Sequence, residues 1–348
     1  MRQKKVLIDL TVLRHPFCGL GQIALNYGRW FQQHAPDLAD EFHFTLLVPK
    51  NYMGKFGNHV SYIKRNDLRR QFPLLMPRFD VWHAINQMSA FRPWSRTTRY
   101  IITIHDVNFI HEKADAKQRK YRRRLQRRCD RASEFCFISQ FAMDDTRRVL
   151  DLGGKPARVI YNGVEDLTIG DQARPQNLPE GPFFLALGEV KAKKNLHTLL
   201  PMMDRLKDHR LVIAGNDAGH YADQLRASLP QHPNISMLGL VSNQERRWLY
   251  AHCQALLFPS TAEGFGLPII EAMQWGKPVF CSTFTSIPEI GGPHAHYFTD
   301  FDPDAMARLV SQGLRDFTPQ KAEQEQAYAA TFSYERHLAQ YIELYRER

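Results

Sequence analysis

The segment Ser260–Cys281, STAEGFGLPIIEAMQWGKPVFC, sets two carboxylates, Glu263 and Glu271, around Gly264-Phe265-Gly266 and a helix start. A strand is expected to end near Pro259, with Pro268 at the first helical position and Gly276 closing the helix before the next strand. A helix that begins after a glycine loop offers backbone N–H groups and a positive dipole end to an anion such as a phosphate. A carboxylate beside such a turn can accept both hydroxyls of a ribose or another vicinal diol, so a pair of them suits a ligand with two sugars. A loop glutamate followed by an ordinary helix glutamate fits the same spacing. Yet Ile269, Ile270, Ala272 and Met273 surround Glu271 with apolar neighbours, where a carboxylate calls for a partner.

Such groups need a scaffold, and the chain supplies a repeating one. Short runs rich in Val, Ile, Leu and Phe alternate with longer helical patterns: KVLIDLTVL, FHFTLLVP, DVWHAI, RYIITIHD, EFCFIS and ARVIYNGV, then FFLALGE, RLVIAGN, ISMLGLV, ALLFPS and PVFCS. These predict buried parallel strands joined by crossover helices. Apolar periodicity stops where Pro, Gly, Asp and Gln collect, and 348 residues suit two domains. The expected organisation is an N-terminal domain over 1–165, a linker over 166–182 and a C-terminal domain over 183–331. A last amphipathic helix, 332–348, should pack back on the first domain. Two doubly wound α/β domains facing each other would leave a central cleft lined by the carboxyl ends of both sheets.

Five scattered cysteines without a Cys-x-x-Cys pair suggest neither a disulfide framework nor a zinc site, and a reducing cytosol fits them best. Asp9 interrupts the N-terminal apolar run, so a buried strand explains it better than a signal peptide. No Asp-x-Asp or carboxylate–histidine cluster is expected to hold a divalent ion. The net charge of +10 permits attraction to phosphates, nucleic acid or anionic lipid. Nine Lys or Arg and one Asp fall in Lys117–Arg131, KQRKYRRRLQRRCDR. Tyr121, Leu125 and Cys129 recur there every four residues, a narrow packing stripe with a solvated cationic exterior. A membrane-surface patch is the other reading of that run; nucleic acid is not expected, because the run has no stacking array.

EGFGLPIIEAMQWGKPV resembles the E-x7-E segment of the family 4 retaining glycosyltransferases, which transfer sugars from nucleotide donors on a GT-B fold. Other motifs are similar to that family's in the same order: GLGQIALN to its N-terminal glycine loop, ITIHD to its His-Asp strand end, VIYNGV to its pre-linker segment and LGEVKAKKNLHTLL to its donor-phosphate segment. The resemblance spans nearly the whole chain and lies nearest the mannosyltransferase-like bacterial cell-envelope branch. It implies that Lys194 pairs with the donor diphosphate, that Gly19 and Gly21 approach the sugar phosphate, and that His105 contacts the transferred sugar. It further implies that Gly264, Phe265, Gly266 and Leu267 belong to the donor site, with Glu263 on the sugar and Glu271 on the ribose. Glu189 departs from the pattern, since many relatives have an arginine there; either Lys193 or a helix end would then substitute, or donor affinity would be modest.

The expected activity is therefore retaining transfer of a hexose, mannose from GDP-mannose foremost, to a cell-surface glycan or lipid-linked acceptor, with no metal or other cofactor. A UDP-sugar transferase, an epimerase or a phosphorylase would share the fold, and a basic nucleic-acid-binding protein is the non-enzyme alternative. The expected setting is cytoplasmic, with or without peripheral attachment to the inner face of the membrane.

Overall fold

Val6, Leu7 and Ile8 of the first apolar run are fully buried in strand β1 (Lys4–Asp9), an inner strand of an all-parallel sheet. The computed structural model describes residues 2–16, 18–112 and 115–347. The chain divides into two units, Met1–Gly163 with Tyr334–Arg348, and Val164–Ser333.

In the first unit, β1 is joined by β2 (Phe42–Val48), β3 (Ser61–Lys64), β4 (Val81–Ala84), β5 (Arg99–Ile104), β6 (Glu134–Phe137) and β7 (Ala157–Val159). Their spatial order is β3-β2-β1-β4-β5-β6-β7. The order reverses between β1 and β4, where crossovers leave to opposite sides and the carboxyl ends flank a crevice. Asp9 and Ala84 are the register partners at that point.

The closing helix, Tyr334–Arg346, belongs to this first unit. Leu338, Tyr341, Ile342, Leu344 and Tyr345 join the core formed by Val6, Ile8 and Tyr27. The buried histidines of the same layer are hydrogen-bonded, as burial requires. His337 Nδ1 donates to the Tyr161 carbonyl (2.5 Å), so its Nε2 accepts from the Tyr27 hydroxyl at 2.8 Å. His83 is hydrogen-bonded to the Tyr345 hydroxyl (2.6 Å) and to Thr103 Oγ1 (2.8 Å).

The second unit contains β8 (Phe183–Leu187), β9 (Arg210–Ala214), β10 (Ile235–Gly239), β11 (Ala255–Phe258), β12 (Val279–Ser282) and β13 (His296–Phe298). The order is β10-β9-β8-β11-β12-β13, again wholly parallel, with its switch point between β8 and β11. The stretch 166–182, expected as a linker, is instead part of this unit. Leu167 and Leu178 are buried, the Leu167 N–H donates to Gln274, and the Ala173 N–H donates to the Gln244 carbonyl. Two apolar anchors suffice to hold a segment that lacks periodicity.

The basic run forms a helix over Asp115–Cys129, with Leu125 and Cys129 buried and Tyr121 against Phe109. Arg128 and Arg131 turn back to donate to the carbonyls of Gln87 and Pro93, while Arg119, Lys120, Arg122 and Arg123 are exposed. Among the described residues no helix is long and apolar enough to cross a membrane.

Candidate active site

Strand β11 delivers Ser260 and Glu263 to the carboxyl edge of the second sheet, and the turn after β8 delivers Lys194 to the same place. Lys194 Nζ donates to Glu263 Oε1 at 2.6 Å, and both side chains are only about 15% exposed, at 15% and 14%. Ser260 Oγ lies 2.6 Å from the same carboxylate oxygen and 3.0 Å from the Lys193 carbonyl. Lys194 is further held over the Phe258 ring, 4.9 Å from its centroid. The turn that sets it up needs Asn195 in the left-handed region (φ 55°), which an Asn tolerates better than most residues.

The loop that carries Glu263 is fastened from below by hydroxyls following β12. Thr285 Oγ1 accepts from the Glu263 N–H (3.0 Å), and Ser286 Oγ bridges the carbonyls of Glu263 (3.1 Å) and Phe265 (3.0 Å). Ser282 Oγ donates to the Ser260 carbonyl. Thr285 has φ 56°, rare for a β-branched residue, and its two hydroxyl contacts hold it there. The loop ends at Gly266 (φ 110°), the N-cap of helix Leu267–Gln274, a conformation that favours glycine. The helix begins at Leu267, so Pro268 is its second residue and not its first.

Of the expected loop residues, Gly264 and Leu267 are half-buried at this edge. Phe265 turns inward instead: it is buried edge-to-face on Phe332, so its side chain anchors the loop. Above β8 and β9 two glycines let the chain pack closely on itself. Gly188 (φ 142°) has Lys194 Nζ 3.5 Å from where its Cβ would stand, and a Cβ on Gly215 would lie 2.0 Å from the Gly188 carbonyl. Glu189 is exposed and pairs with Lys191 at 2.8 Å.

Glu271 is buried and does have partners. Its Oε2 accepts from the Tyr250 hydroxyl at 2.7 Å, and Oε1 is 3.6 Å from Arg246, which in turn faces Glu165 at 3.4 Å. Glu271 beside it raises the Arg246 pKa, and burial raises that of Tyr250. A carboxylate has about four acceptor positions, so these contacts leave capacity on Oε1.

In the first unit, Asp9 closes β1 as a buried carboxylate, which burial shifts upward in pKa. Its Oδ1 accepts from the Thr11 N–H (3.0 Å) and hydroxyl (2.7 Å), and Ser89 donates to Oδ2. It lines a cavity of about 450 Å3 together with Arg14, His15, Arg65, Arg70 and Arg124. Gly19, the first residue of helix Gly19–His34, has open space beyond its Cα, and its neighbours Cys18 and Leu20 line the cavity. Gly21 differs from expectation: a Cβ there would lie 2.1 Å from the His15 carbonyl, so the close approach it allows is to the chain itself.

His105 follows β5 and is buried. Its Nε2 donates to the Ile85 carbonyl (2.8 Å), which leaves Nδ1 as the acceptor, and burial lowers its pKa so that the ring stays neutral. Two overlapping Asp-x-Asp do occur in the run Asp300-Phe301-Asp302-Pro303-Asp304, contrary to expectation. Its carboxylates are structural: Asp300 accepts from the Asp302 N–H, and Asp302 caps helix Pro303–Arg315. Among the described residues no group of three or more His, Cys, Asp or Glu could hold a metal ion.

Sequence reasoning missed Ser260, Thr285, Ser286, Tyr250, Arg246 and Asp9. The signals were present as the hydroxyl-rich STFTS after a strand, the Arg246-Arg247 pair and a carboxylate interrupting VLIDL. None of them names a partner without the fold.

Residues 170–331 match the family described as glycosyl transferases group 1, and residues 29–166 match glycosyltransferase family 4. The chain belongs to the family 4 glycosyltransferases. This glycosyltransferase is 26% identical to O-antigen chain mannosyltransferase B of Escherichia coli, over 98% of its own length and 99% of the relative's. In fold it is similar to sucrose-phosphate synthase from Thermosynechococcus elongatus, with a TM-score of 0.73 at 18% identity, covering 99% of this chain and 98% of that one. Anabaena HepE, solved in complex with UDP and glucose, superposes with a TM-score of 0.70 at 19% identity over the whole of both chains. The two parallel-sheet units are those of the GT-B architecture, and the protein is an enzyme that transfers sugar.

Proposed function

We propose that this glycosyltransferase moves a mannosyl residue from GDP-mannose to a growing surface polysaccharide or its lipid-linked precursor, with retention of anomeric configuration. The observation that carries this is the Lys194–Glu263 pair, backed by Ser260, at the β8/β11 switch point. There a cation and a hydroxyl-accepting carboxylate stand side by side at the carboxyl edge of the sheet, the combination a sugar diphosphate asks for. The end-to-end similarity to an O-antigen mannosyltransferase supports mannose.

In this proposal Lys194 and the first turn of helix Leu267–Gln274 neutralise the diphosphate, Glu263 orients sugar hydroxyls, and the remaining acceptor capacity of Glu271 takes the ribose. His105, neutral, accepts a sugar hydroxyl at Nδ1. The acceptor oxygen forms its bond to the anomeric carbon on the face from which the diphosphate leaves. Its proton passes to the departing phosphate oxygen. The four arginines around the first unit's cavity favour an acceptor that itself carries phosphate. The free cysteines, four of them buried, suit a reducing compartment.

The test is a transfer assay with GDP-mannose, UDP-glucose, UDP-galactose and ADP-glucose on a lipid-diphosphate-linked acceptor, in chelator, with the product anomer read by NMR. GDP-mannose should be consumed and the α-configured donor should give an α-linked product. Turnover of a UDP-sugar alone, inversion, or epimer formation without transfer would overturn it.

A further inference from the structure

Among the described residues ten large apolar side chains are exposed, and five of them, Leu68, Phe72, Leu74, Leu75 and Trp94, belong to one short stretch of the first unit and its neighbour. Leu74 is 75% exposed. The stretch is not a loose loop. Asn66 caps the helix Asp67–Gln71 by accepting from the Leu68 N–H at 2.7 Å, and Pro73 opens a 3-10 turn over Pro73–Leu75. Met76 is buried beneath it, and Trp94 Nε1 donates to the Met76 carbonyl at 2.9 Å, which joins Trp94 to the same surface.

Cations rim this apolar tip. Lys64–Arg78 contains Lys64, Arg65, Arg69, Arg70 and Arg78 against a single acid, Asp67, and Arg92 and Arg96 flank Trp94. Arg70, Arg78, Arg92 and Arg96 are exposed. A protruding Phe-Pro-Leu-Leu with an indole beside it and a ring of guanidiniums matches the headgroup boundary of an anionic bilayer, where apolar side chains enter the acyl region and cations meet lipid phosphates. A protein partner's surface is rarely so uniformly acidic and apolar at once. The basic helix Asp115–Cys129 differs, because its apolar stripe is packed inward and it offers charge alone.

We infer that the segment Asp67–Met76 with Trp94 is a monotopic docking surface that inserts into anionic lipid, and that the basic helix only adds long-range attraction. Two residues link it to the cavity: Arg65 and Arg70 of the rim also line the space closed by Asp9. Docking would bring that cavity to the membrane surface whatever sugar the enzyme carries.

The experiment uses the full chain with vesicles of phosphatidylethanolamine and phosphatidylglycerol, with phosphatidylcholine vesicles as the uncharged reference. The unaltered chain should float with the anionic vesicles, and bromine-labelled lipid should quench emission that disappears in Trp94→Phe. Leu74→Ser with Leu75→Ser, both exposed and outside the catalytic groups, should weaken binding about tenfold or more. Arg119→Ser with Arg122→Ser and Arg123→Ser should weaken it less, and only at low salt. The inference is overturned if the unaltered chain neither floats nor is quenched, or if the leucine variant binds as the parent does. It is overturned also if the helix variant alone abolishes binding. Concentration-dependent self-association that the leucine variant removes, without vesicle binding, would assign the surface to a second copy instead.

Discussion

Lys194 Nζ sits 2.6 Å from Glu263 Oε1, so the residue expected to meet phosphate is engaged by the residue expected to meet sugar. A donor therefore has to break or share this pair. A diphosphate carries more charge than one carboxylate and competes well for the ammonium; the released carboxylate is then free to accept hydroxyls.

The first prediction separates the two roles. Lys194→Ala should weaken nucleoside diphosphate binding by about ten- to a hundredfold, the loss of a charge-assisted contact worth roughly 1.5–3 kcal/mol. Glu263→Gln removes a competitor for Lys194, so it should bind the diphosphate severalfold more tightly while turning over more slowly. Calorimetry on both variants decides; equal loss of affinity in the two would mean that Glu263 holds Lys194 in place instead of competing for it.

His105→Ala should lower kcat with little change in donor affinity, because the neutral imidazole is proposed to touch only the sugar. Burial keeps its pKa below the ordinary histidine value, so the rate should hold at neutral pH and fall only under acid conditions. A variant with parental kcat would remove His105 from the site.

Glu271 must be tested with the gentler substitution. Glu271→Ala removes the acceptor of the buried Tyr250 hydroxyl and leaves Arg246 with Glu165 alone, which should cost about 1–3 kcal/mol of stability. Glu271→Gln keeps the volume and should retain most of the melting temperature while losing about tenfold in nucleotide affinity. Unchanged affinity in a folded Glu271→Gln would confine the residue to its structural network.

Stability of the first unit should fall with acid. Burial depresses His337 from 6.5 to about 4 and pushes His83 down as well. The unfolded chain therefore binds more protons between those values, and stability is complete above pH 6.5 and lost as pH falls toward 4. For His337 alone the loss is about 3 kcal/mol at roughly 1.4 kcal/mol per pH unit. Denaturant melts at pH 7.5, 6 and 5 should show the decline, and His337→Gln should flatten it.

Glu325 gives the opposite sign in the second unit. It is buried, its Oε2 has no hydrogen-bond partner among the described residues, and its pKa is raised to about 8. It folds protonated, so its contribution is present at low pH and lost as pH rises from 4.5 toward 8. Glu325→Gln should melt higher than the parent at pH 8, with the difference vanishing near pH 4.5; an unchanged melting temperature at pH 8 would show the carboxyl to be hydrated.

Most of the eleven legible strands are apolar runs buried on both faces, as in Leu256-Leu257 or Ile101-Ile102, while the half-buried edge strands β7 and β10 were carried by the longer runs ARVIYNGV and ISMLGLV. The two missed, β3 and β13, are edge strands of four and three residues with half-buried patterns, SYIK and HYF, which no run announces. Site residues followed the same logic. Lys194 and Glu263 stood out through local motifs, whereas Thr285 and Ser286 matter only because β12 pairs with β11 and sets their hydroxyls under the loop. Gly21 was misread because a missing Cβ does not say what occupies its space; here the occupant is His15.

The last helix lies in the first unit although 170 residues of the second intervene between Gly163 and Tyr334. During synthesis the ribosome must therefore translate a whole further domain, roughly ten to thirty seconds at ordinary elongation rates, before the first can be finished. Until then the layer that receives Leu338, Tyr341 and Tyr345 is open to water, together with His83 Nδ1 and the hydroxyl of Tyr27, whose partners lie on that helix. The second unit, continuous in sequence, can close as soon as it emerges. Order of birth and order of completion are thus reversed, and the nascent first half is the stage at which a chaperone has the most to cover.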